Sequence, residues 1–421
     1  MEHMPLDREI LIGIIGLGAM GKGLLYQTTL TPRMRAAAVC DVDVDKACDI
    51  LREFGFAYQV IETKDDLVRA VASNAVAVYR DGEQLAQMSY LDAVIEATGT
   101  IIPGAQFSIA ALKAKKHLIL MNSEVDLIFG AYLCRLADQN GVVCTSCDGD
   151  QYGVLKHLID DVQQWGFSLV MAGNIKGFLD RYATPATIVA EADKRNLDYK
   201  ACASYTDGTK LNIEMAITAN AFGLSTKKTG MHGPACASID ELGSKLDLPS
   251  LWHEKQPFVD YLLGANPGGG VFVVGYCDHP YQQQMLQYYK MGDGPFYTFY
   301  RPYHLCHIES MASVRNAVLH HQALMQPKFG FVTNVYAYAK RDLKTGETLD
   351  GVGGETCYGL IENCDDQQIT PGIQICLADQ VRLKRSVKKD EKILLRDVDY
   401  DPQRLDFQLF ALASEQEEAP C

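Results

Sequence analysis

One segment near the N-terminus constrains the fold more than any other: Glu9-Ile-Leu-Ile-Gly-Ile-Ile-Gly-Leu-Gly-Ala-Met-Gly-Lys22. Its apolar run from Ile10 to Ile15 is rich in β-branched residues, which predicts a strand buried on both faces. Gly16, Gly18 and Gly21 follow in G-x-G-x-x-G spacing, and the residues after them can form a helix. The segment therefore predicts a strand, a glycine turn and a helix.

Each glycine of such a unit has its own physical purpose. Gly16 permits the tight turn, Gly18 has no side chain to block a pyrophosphate, and Gly21 lets the helix pack close to the strand. The helix start, at Ala19 and Met20, presents free N–H groups to the anion. We therefore predict that these five residues bind a dinucleotide. The glycine pattern alone also fits an ordinary turn between a strand and a helix.

The second predicted strand, residues 36–40, ends at Asp41, 20 residues after Gly21. A carboxylate at this place accepts both ribose hydroxyls of an NAD adenosine and repels the 2′-phosphate of NADP. Further acidic residues follow and no arginine is near, so the sequence favours NAD over NADP. An alternative purpose for this acidic run is a helix N-cap at Asp43 or Asp45, and both interpretations can hold together.

Apolar runs and helical segments continue to alternate through the first third of the chain, which predicts an α/β fold with a doubly wound parallel sheet of the Rossmann type. Ligands bind beyond the carboxyl ends of such strands. Predicted strands at 91–97 and 117–121 are followed by Thr98, Gly99 and Asn122. We predict that these three residues contact the nicotinamide side of the cofactor.

The pattern changes twice further along the chain. We predict a dinucleotide-binding domain over 1–150, an α+β catalytic domain over 151–327, and a β-rich domain over 328–421. The last of these contains an internal echo, because residues 339–349 resemble residues 383–393. Both segments predict a strand, a basic turn and a second strand.

Ionisable groups cluster in two polar segments of the middle domain. Lys176 lies in the first segment, and Asp207 and Lys210 lie in the second, directly before a predicted helix that carries Glu214. Lys210 and Glu214 are i,i+4 neighbours and share a helix face. We predict that Lys176 or Lys210 relays a proton or polarises a carbonyl, with Asp207 and Glu214 orienting it. An exposed ion pair is the alternative for Lys210 and Glu214.

Substrate binding is assigned to four other residues of this domain. Asn174 and Arg181 lie in the same polar segment as Lys176, and Arg301 and His304 lie in an aromatic-rich segment. We predict that the two arginines and His304 bind anionic groups of the substrate. Histidines at 304 and 307 could hold a metal, but we predict none, since the proline at 302 puts the first of them at a helix start.

Composition excludes several classes of function for these 421 residues. The net charge of −14 disfavours nucleic-acid binding. No apolar run approaches the roughly 18 residues that span a bilayer, and the first eight residues lack the apolar core of a secretory signal. The 13 cysteines are odd in number and lack the spacing of a disulfide framework. We therefore predict a cytoplasmic protein with reduced thiols.

Several segments together resemble a family of bacterial oxidoreductases that pair an N-terminal dinucleotide fold with a C-terminal SAF-type β-clip domain, the 1-deoxy-D-xylulose 5-phosphate reductoisomerase-like enzymes. The N-terminal half also resembles homoserine dehydrogenase. The resemblance implies NADPH as cofactor, whereas Asp41 favours NAD. The matching segments span residues 16–21, 121–126, 148–151, 173–177, 207–210, 300–304 and 339–343.

We therefore expect an NAD(P)-dependent oxidoreductase that acts on a small, polyhydroxylated, phosphorylated carbonyl or alcohol compound, with a reductoisomerase-like reaction implied by the resemblance. Enzymes of this architecture are commonly symmetric, so we expect a homo-oligomer. A homoserine-type dehydrogenase is the alternative among enzymes. A sensor that binds a dinucleotide or sugar without turnover is the alternative of another class.

Overall fold

A computed structural model describes residues 8–195, 197–365 and 371–415. Residues 1–7, which the prediction about a secretory signal concerns, lie outside the described residues. The chain divides into two compact units. Unit 1 comprises Met1–Asp150, Leu305–Gln326 and Arg404–Cys421, and unit 2 comprises Gln151–His304 and Pro327–Gln403.

The described strands are β1 (Ile10–Ile15), β2 (Met34–Cys40), β3 (Tyr58–Val60), β4 (Val76–Tyr79), β5 (Ala93–Glu96), β6 (His117–Leu120), β7 (Cys144–Ser146), β8 (Ser168–Lys176), β9 (Phe258–Leu263), β10 (Val271–Tyr276), β11 (Phe296–Arg301), β12 (Thr333–Ala339), β13 (Cys357–Asn363), β14 (Arg382–Leu383) and β15 (Val398–Asp399).

The described α-helices are α1 (Ala19–Leu30), α2 (Val44–Glu53), α3 (Lys64–Ser73), α4 (Gly82–Ala86), α5 (Ile101–Lys113), α6 (Ser123–Asn140), α7 (Gln151–Gln164), α8 (Val189–Arg195), α9 (Tyr199–Asp207), α10 (Thr209–Phe222), α11 (Leu242–Lys245), α12 (Leu248–Leu251), α13 (Pro280–Tyr288), α14 (Cys306–Glu309), α15 (Met311–His320) and α16 (Leu405–Ser414). None of the helices in the described ranges is long and apolar enough to cross a bilayer.

Unit 1 is built on a seven-stranded parallel sheet in the order β3-β4-β2-β1-β5-β6-β7. The order reverses at β1, so β1 is central, and its residues Ile12 and Ile14 have no exposed surface. The predicted α/β class with a doubly wound parallel sheet is confirmed. Strands β3 and β4 were not identified from the sequence, because three and four residues are too few to show a period.

The segment Leu305–Gln326, which comes much later in the chain, also belongs to unit 1. Met311, Val314 and Val318 of α15 join the same buried cluster as Ile12 and Ile14 of β1. Helix α15 ends at His320, because His321 adopts a left-handed backbone with φ 51°.

Unit 2 contains a four-stranded mixed sheet in the order β11-β10-β8-β9. Strand β8 pairs parallel with β9 and antiparallel with β10. Because side chains alternate along a strand, Asn174 and Lys176 share one face of β8, and Ile175 lies on the other, in an apolar cluster. The sequence analysis assigned both polar residues to a polar segment; strand β8 extends to Lys176, so both of them lie on a strand.

Helix α10 is buried on nearly all sides although many of its side chains are polar. Thr209, Asn212 and Asn220 form a stripe at helical spacing along one face. Their side-chain oxygens accept backbone N–H groups of β12 and β13, at 2.9 Å in each case. The hairpin formed by these two strands is therefore attached to α10 by side-chain to backbone hydrogen bonds.

The internal echo is visible as a local symmetry in the structure. Leu343 and Val387 hold equivalent places in the two copies and exchange two backbone hydrogen bonds of 2.8 and 3.0 Å. Each copy also closes its turn with an ion pair between arginine and glutamate, namely Arg341–Glu347 and Arg385–Glu391. The two similar segments therefore pair with each other about a local two-fold relation.

The α10 stripe gives a test of stability. Replacing Asn220 with alanine removes the acceptor of the Thr333 N–H, which stays buried. We expect the free energy of unfolding of unit 2 to fall by about 1–3 kcal/mol, the cost of a buried unpaired donor. Urea unfolding measures this loss. Gln284→Ala, at an exposed place on α13, is the control; equal stability of the two variants would contradict the expectation.

Candidate functional site

The glycine turn in unit 1 has the shape that a pyrophosphate requires. Gly16 has φ +92°, and a Cβ there would lie 2.7 Å from the Ala97 carbonyl oxygen. A Cβ on Gly21 would lie only 1.8 Å from the Gly16 carbonyl oxygen. A Cβ on Gly18, the N-cap of α1, would meet nothing within 4 Å. The space in front of Gly18 and the first turn of α1, which begins at Ala19 and Met20, can therefore admit an anion.

Asp41 lies directly beside this turn, at the end of β2. Its carboxylate accepts the Leu17 N–H at 2.7 Å and the Asp43 N–H at 3.0 Å. Each carboxylate oxygen has a second lone pair, so acceptor capacity for ribose hydroxyls remains. The helix cap is supplied by Asp43, which accepts the Lys46 N–H at 3.0 Å. The helix cap is therefore at Asp43, and binding of the ribose by Asp41 stays a prediction.

The residues predicted near the nicotinamide lie at the carboxyl ends of β5 and β6. Asn122 caps α6 by accepting the Val125 N–H at 3.2 Å, and its amide donates to the Thr100 carbonyl at 2.9 Å. Thr98 donates its N–H to Glu96 at 2.8 Å. A Cβ on Gly99 would meet nothing within 4 Å, so this turn is open on one side.

Glu96 is a candidate functional residue that the sequence analysis did not identify, because it lies inside an apolar strand. It has no exposed surface. Burial raises the pKa of its carboxyl to about 7, and hydrogen bonds from Thr98 and Asn122 oppose that rise. An acid with a pKa near neutrality can both donate and accept a proton at physiological pH.

Lys176 is the centre of the polar cluster in unit 2. Its ammonium donates to the Tyr205 carbonyl at 2.7 Å. Burial lowers the pKa of this ammonium, and the charges of Glu214 and Asp207 oppose the shift. Glu214 is itself buried and Lys210 is half-buried, so these two residues do not lie on an exposed helix face, as the alternative required. A lysine with a lowered pKa can exchange a proton with a substrate oxygen.

Asp207 has a different partner from the one expected. Its carboxylate pairs with Lys340 at 2.8 Å, and both side chains are fully buried. Lys340 also donates to the carbonyls of Ala183 and Gly354, each at 2.6 Å. Burial raises the pKa of Asp207, and Lys340 opposes that rise. Lys340 was not predicted, since its partner lies more than a hundred residues earlier in the chain.

Asn174 is buried, with 1% of its surface exposed. Within the described residues, neither its carboxamide oxygen nor its nitrogen has a hydrogen-bond partner. A buried amide without partners costs about 1–3 kcal/mol for each unpaired group, and such exceptions in folded proteins call for a ligand or an ordered water. The assignment of Asn174 to substrate binding stays a prediction.

The pairing of the strands identifies further candidate residues, which lie beside Asn174 in the row of residues that runs across the sheet. Tyr261 of β9 and Val271 of β10 are its partners, and Arg301 of β11 is the partner of Val271. Residues in register point to the same face, so Tyr261 and Arg301 lie on the face of Asn174. Burial raises the pKa of the Tyr261 phenol, and the charge of Arg181 opposes that rise. Tyr261 was not identified from the sequence.

The predicted anion-binding residues have defined neighbours in unit 2. The Arg181 guanidinium lies 5.3 Å from the centre of the Tyr358 ring, and the Arg301 guanidinium lies 4.7 Å from that of Tyr303. Nδ1 of His304 is 2.6 Å from the Gly269 carbonyl oxygen. Ring contacts thus orient the two guanidinium groups, and a hydrogen bond orients the imidazole of His304.

The raised pKa of Glu96 predicts how stability depends on pH. Folded unit 1 binds the Glu96 proton more tightly than the unfolded chain, so the free energy of unfolding falls as pH rises from about 4.5 to about 7. In Glu96→Gln, the decrease in the free energy of unfolding over this pH range should be smaller by on the order of 3 kcal/mol. Denaturant unfolding at several pH values measures it, with Glu83→Gln at an exposed position of α4 as control. An unchanged slope in Glu96→Gln would contradict the expectation.

Comparison with known proteins identifies an enzyme class. Residues 149–310 match the family model described as oxidoreductase DRL, catalytic domain. This range contains Asn174, Lys176, Lys210, Glu214 and the other residues of the unit 2 cluster except Lys340. The prediction of an NAD(P)-dependent oxidoreductase is confirmed at the level of the enzyme class. Among curated proteins no match to this chain is found.

Solved structures similar to this chain include a probable dehydrogenase from Thermotoga maritima, at 12% identity and a TM-score of 0.42, over 75% of this chain and 90% of that one. A 1-deoxy-D-xylulose 5-phosphate reductoisomerase from Zymomonas mobilis in complex with NADPH is 18% identical, with a TM-score of 0.35, over 49% of this chain and 57% of that one. The chain thus spans just over half the length of the reductoisomerase.

Proposed function

We propose that this protein transfers a hydride between a nicotinamide dinucleotide and a small, polyhydroxylated, phosphorylated carbonyl or alcohol compound. The observation that carries the proposal is the face of β8 on which Asn174, buried and without a hydrogen-bond partner in the described part of the chain, lies two residues from Lys176, whose pKa is lowered. Both residues fall within the matched oxidoreductase range. A reductoisomerase-like reaction is the specific form that the sequence resemblance supports.

Unit 1 supplies the residues that would hold the dinucleotide. Gly16 and Gly21 make the turn, and the open space before Gly18 accommodates the pyrophosphate against the start of α1. The adenosine ribose would be bound by Asp41, which favours NAD over NADP because its charge repels a 2′-phosphate. Thr98, Gly99 and Asn122 would line the nicotinamide end. When bound, the dinucleotide supplies or accepts the hydride.

Unit 2 supplies the residues that would act on the substrate. The Asn174 carboxamide would orient a substrate hydroxyl or carbonyl, gaining the hydrogen bonds it lacks. Lys176 would polarise the reacting carbonyl oxygen or relay a proton to it, with Lys210 and Glu214 of α10 setting the local charge. Asp207, held by Lys340, would fix the start of α10. Arg181, Arg301 and His304 would bind the anionic group.

The remaining expectations concern organisation. We propose that the β-rich region from residue 328 is a SAF-type domain, which the pairing of the segments 339–349 and 383–393 supports. The domain boundaries at 150 and 327, the cytoplasmic location and the homo-oligomer stay predictions.

Dinucleotide binding is tested by paired glycine and carboxylate variants. Gly18→Val should abolish binding of NADH and NADPH and lower the melting temperature by only a few degrees, because a side chain there meets no protein atom and weakens only the N-cap of α1. Asp41→Ala should lose the preference for NADH. Isothermal titration measures both, with Gly243→Ala, where a Cβ also meets open space, as control. Wild-type protein that binds neither dinucleotide would refute the proposed cofactor.

Turnover is tested at Lys176. Lys176→Met keeps the aliphatic stem and removes the ammonium, so kcat should fall by about 10²–10⁴-fold, the usual effect of losing an acid or base. The assay follows NADH or NADPH oxidation with 1-deoxy-D-xylulose 5-phosphate first and other sugar phosphates next. Dinucleotide affinity should stay unchanged. A Lys176→Met enzyme as active as the wild type would exclude the assigned role.

A further inference from the structure

We propose that His232 and Asp260 of unit 2 form a proton-transfer dyad, in which His232 exchanges a proton with a substrate oxygen. The inference rests on the proposed oxidoreductase function and adds a catalytic residue that the matched family description and the sequence motifs do not name. Three structural features support this role: the way Asp260 is held, the exposed end of the imidazole, and the position of the dyad beside Tyr261.

Asp260 on β9 is a fixed and fully buried acceptor. It has no exposed surface, and its two oxygens accept the backbone N–H groups of His232, Gly233 and Tyr261 at 2.8 to 3.1 Å. These three backbone donors suffice to satisfy the carboxylate and to anchor the segment that precedes β9. The imidazole of His232 is therefore an additional partner that the fold does not need.

The His232 ring is oriented by this carboxylate. Its Nδ1 lies 2.6 Å from Oδ2 of Asp260. Because a carboxylate only accepts, Nδ1 carries the proton, and Nε2 of the neutral ring is an acceptor. Within the described residues Nε2 has no hydrogen-bond partner, and the side chain is 29% exposed. The nitrogen that can take up a proton thus faces away from the carboxylate and is open to a ligand.

The dyad lies at the edge of the row that contains Asn174. A Cβ on Gly233, the residue after His232, would lie 2.2 Å from the Tyr261 hydroxyl oxygen, so the main chain at this place packs on the phenol. Tyr261 is the strand partner of Asn174, and Asp260 is that of Gly173. Because side chains alternate along β9, Asp260 starts from the face opposite to Tyr261, so the dyad lies at the outer edge of β9, beside the Tyr261 phenol of the row that contains Asn174.

The proposed step balances in both directions. In oxidation of an alcohol, Nε2 of neutral His232 takes the hydroxyl proton, the oxygen lone pair forms the carbonyl, and the hydride leaves from carbon to the oxidised dinucleotide. In reduction, the hydride adds to the carbonyl carbon, and the imidazolium returns its proton to the oxygen. Asp260 stabilises the imidazolium and keeps its proton. Lys176 then polarises the same oxygen.

The substitution His232→Asn tests the roles of the two ring nitrogens separately. The asparagine amide can still donate to Asp260 in place of Nδ1, while no group replaces Nε2. We expect kcat to fall about 10²–10³-fold, with KM, dinucleotide affinity and melting temperature within twofold or a few degrees of the wild type. The control is His253→Asn, since His253 also bonds through Nδ1, to the Ser250 carbonyl at 2.8 Å, but is exposed.

Chemical rescue distinguishes proton transfer from packing. His232→Ala should lose activity and regain at least tenfold with added imidazole, and the rescue should depend on imidazole concentration. Full activity of His232→Asn, or loss without rescue in His232→Ala, would overturn the proposal. Wild-type protein that neither binds a dinucleotide nor oxidises it with any sugar phosphate would instead refute the proposed function, so the two failures are distinct.

Discussion

Unit 2 depends on a helix that is buried almost completely and is nevertheless polar. Helix α10 carries Thr209, Asn212 and Asn220 on one face. A buried polar group without a hydrogen-bond partner destabilises the fold by about 1–3 kcal/mol, so each of these side chains needs a partner. The partners are backbone N–H groups of β12 and β13. Because those strands lie more than a hundred residues later in the chain, α10 can be buried only when the C-terminal strands are folded. The same helix carries Lys210 and Glu214, so the polar cluster also forms only when the C-terminal strands are folded.

The ion pair between Asp207 and Lys340 strengthens the same connection. Both charges are removed from water, so losing either partner would leave an uncompensated buried charge, which costs about 3–5 kcal/mol. Asp207 also accepts the Thr209 N–H at 2.7 Å, which starts α10. Lys340 thus fixes the first turn of the helix from the C-terminal region. These contacts cross the proposed boundary at residue 328, which gives the β-rich region a structural part in the candidate site.

Local patterns could be predicted from the sequence, and distant partners could not. The strand, turn and helix around Gly18 follow from a contiguous pattern, and Asp41 follows from a fixed spacing. By contrast, the polar segment around Asn174 did not indicate a strand, although β8 continues to Lys176, because glycine and polar side chains are unfavourable in most strands. Lys340 and Tyr261 are recognisable only through partners far away in the chain. Glu96 lies inside an apolar run, where one acid does not alter the period.

Three of the buried asparagines of unit 2, at positions 174, 212 and 220, show why the candidate site is not an accident of loose packing. Asn212 and Asn220 each use a side-chain oxygen to accept a backbone N–H at 2.9 Å, so this fold satisfies buried amides where structure alone is needed. Asn174 is equally buried, yet neither of its polar atoms has a hydrogen-bond partner among the residues that the structure describes. The amides of Asn212 and Asn220 are thus hydrogen-bonded and that of Asn174 is not. The free-energy cost of burying the Asn174 amide can be offset only by a bound molecule or a water. That cost lies next to Lys176, on the face where the proposed chemistry needs a hydrogen-bond donor and acceptor for a substrate oxygen.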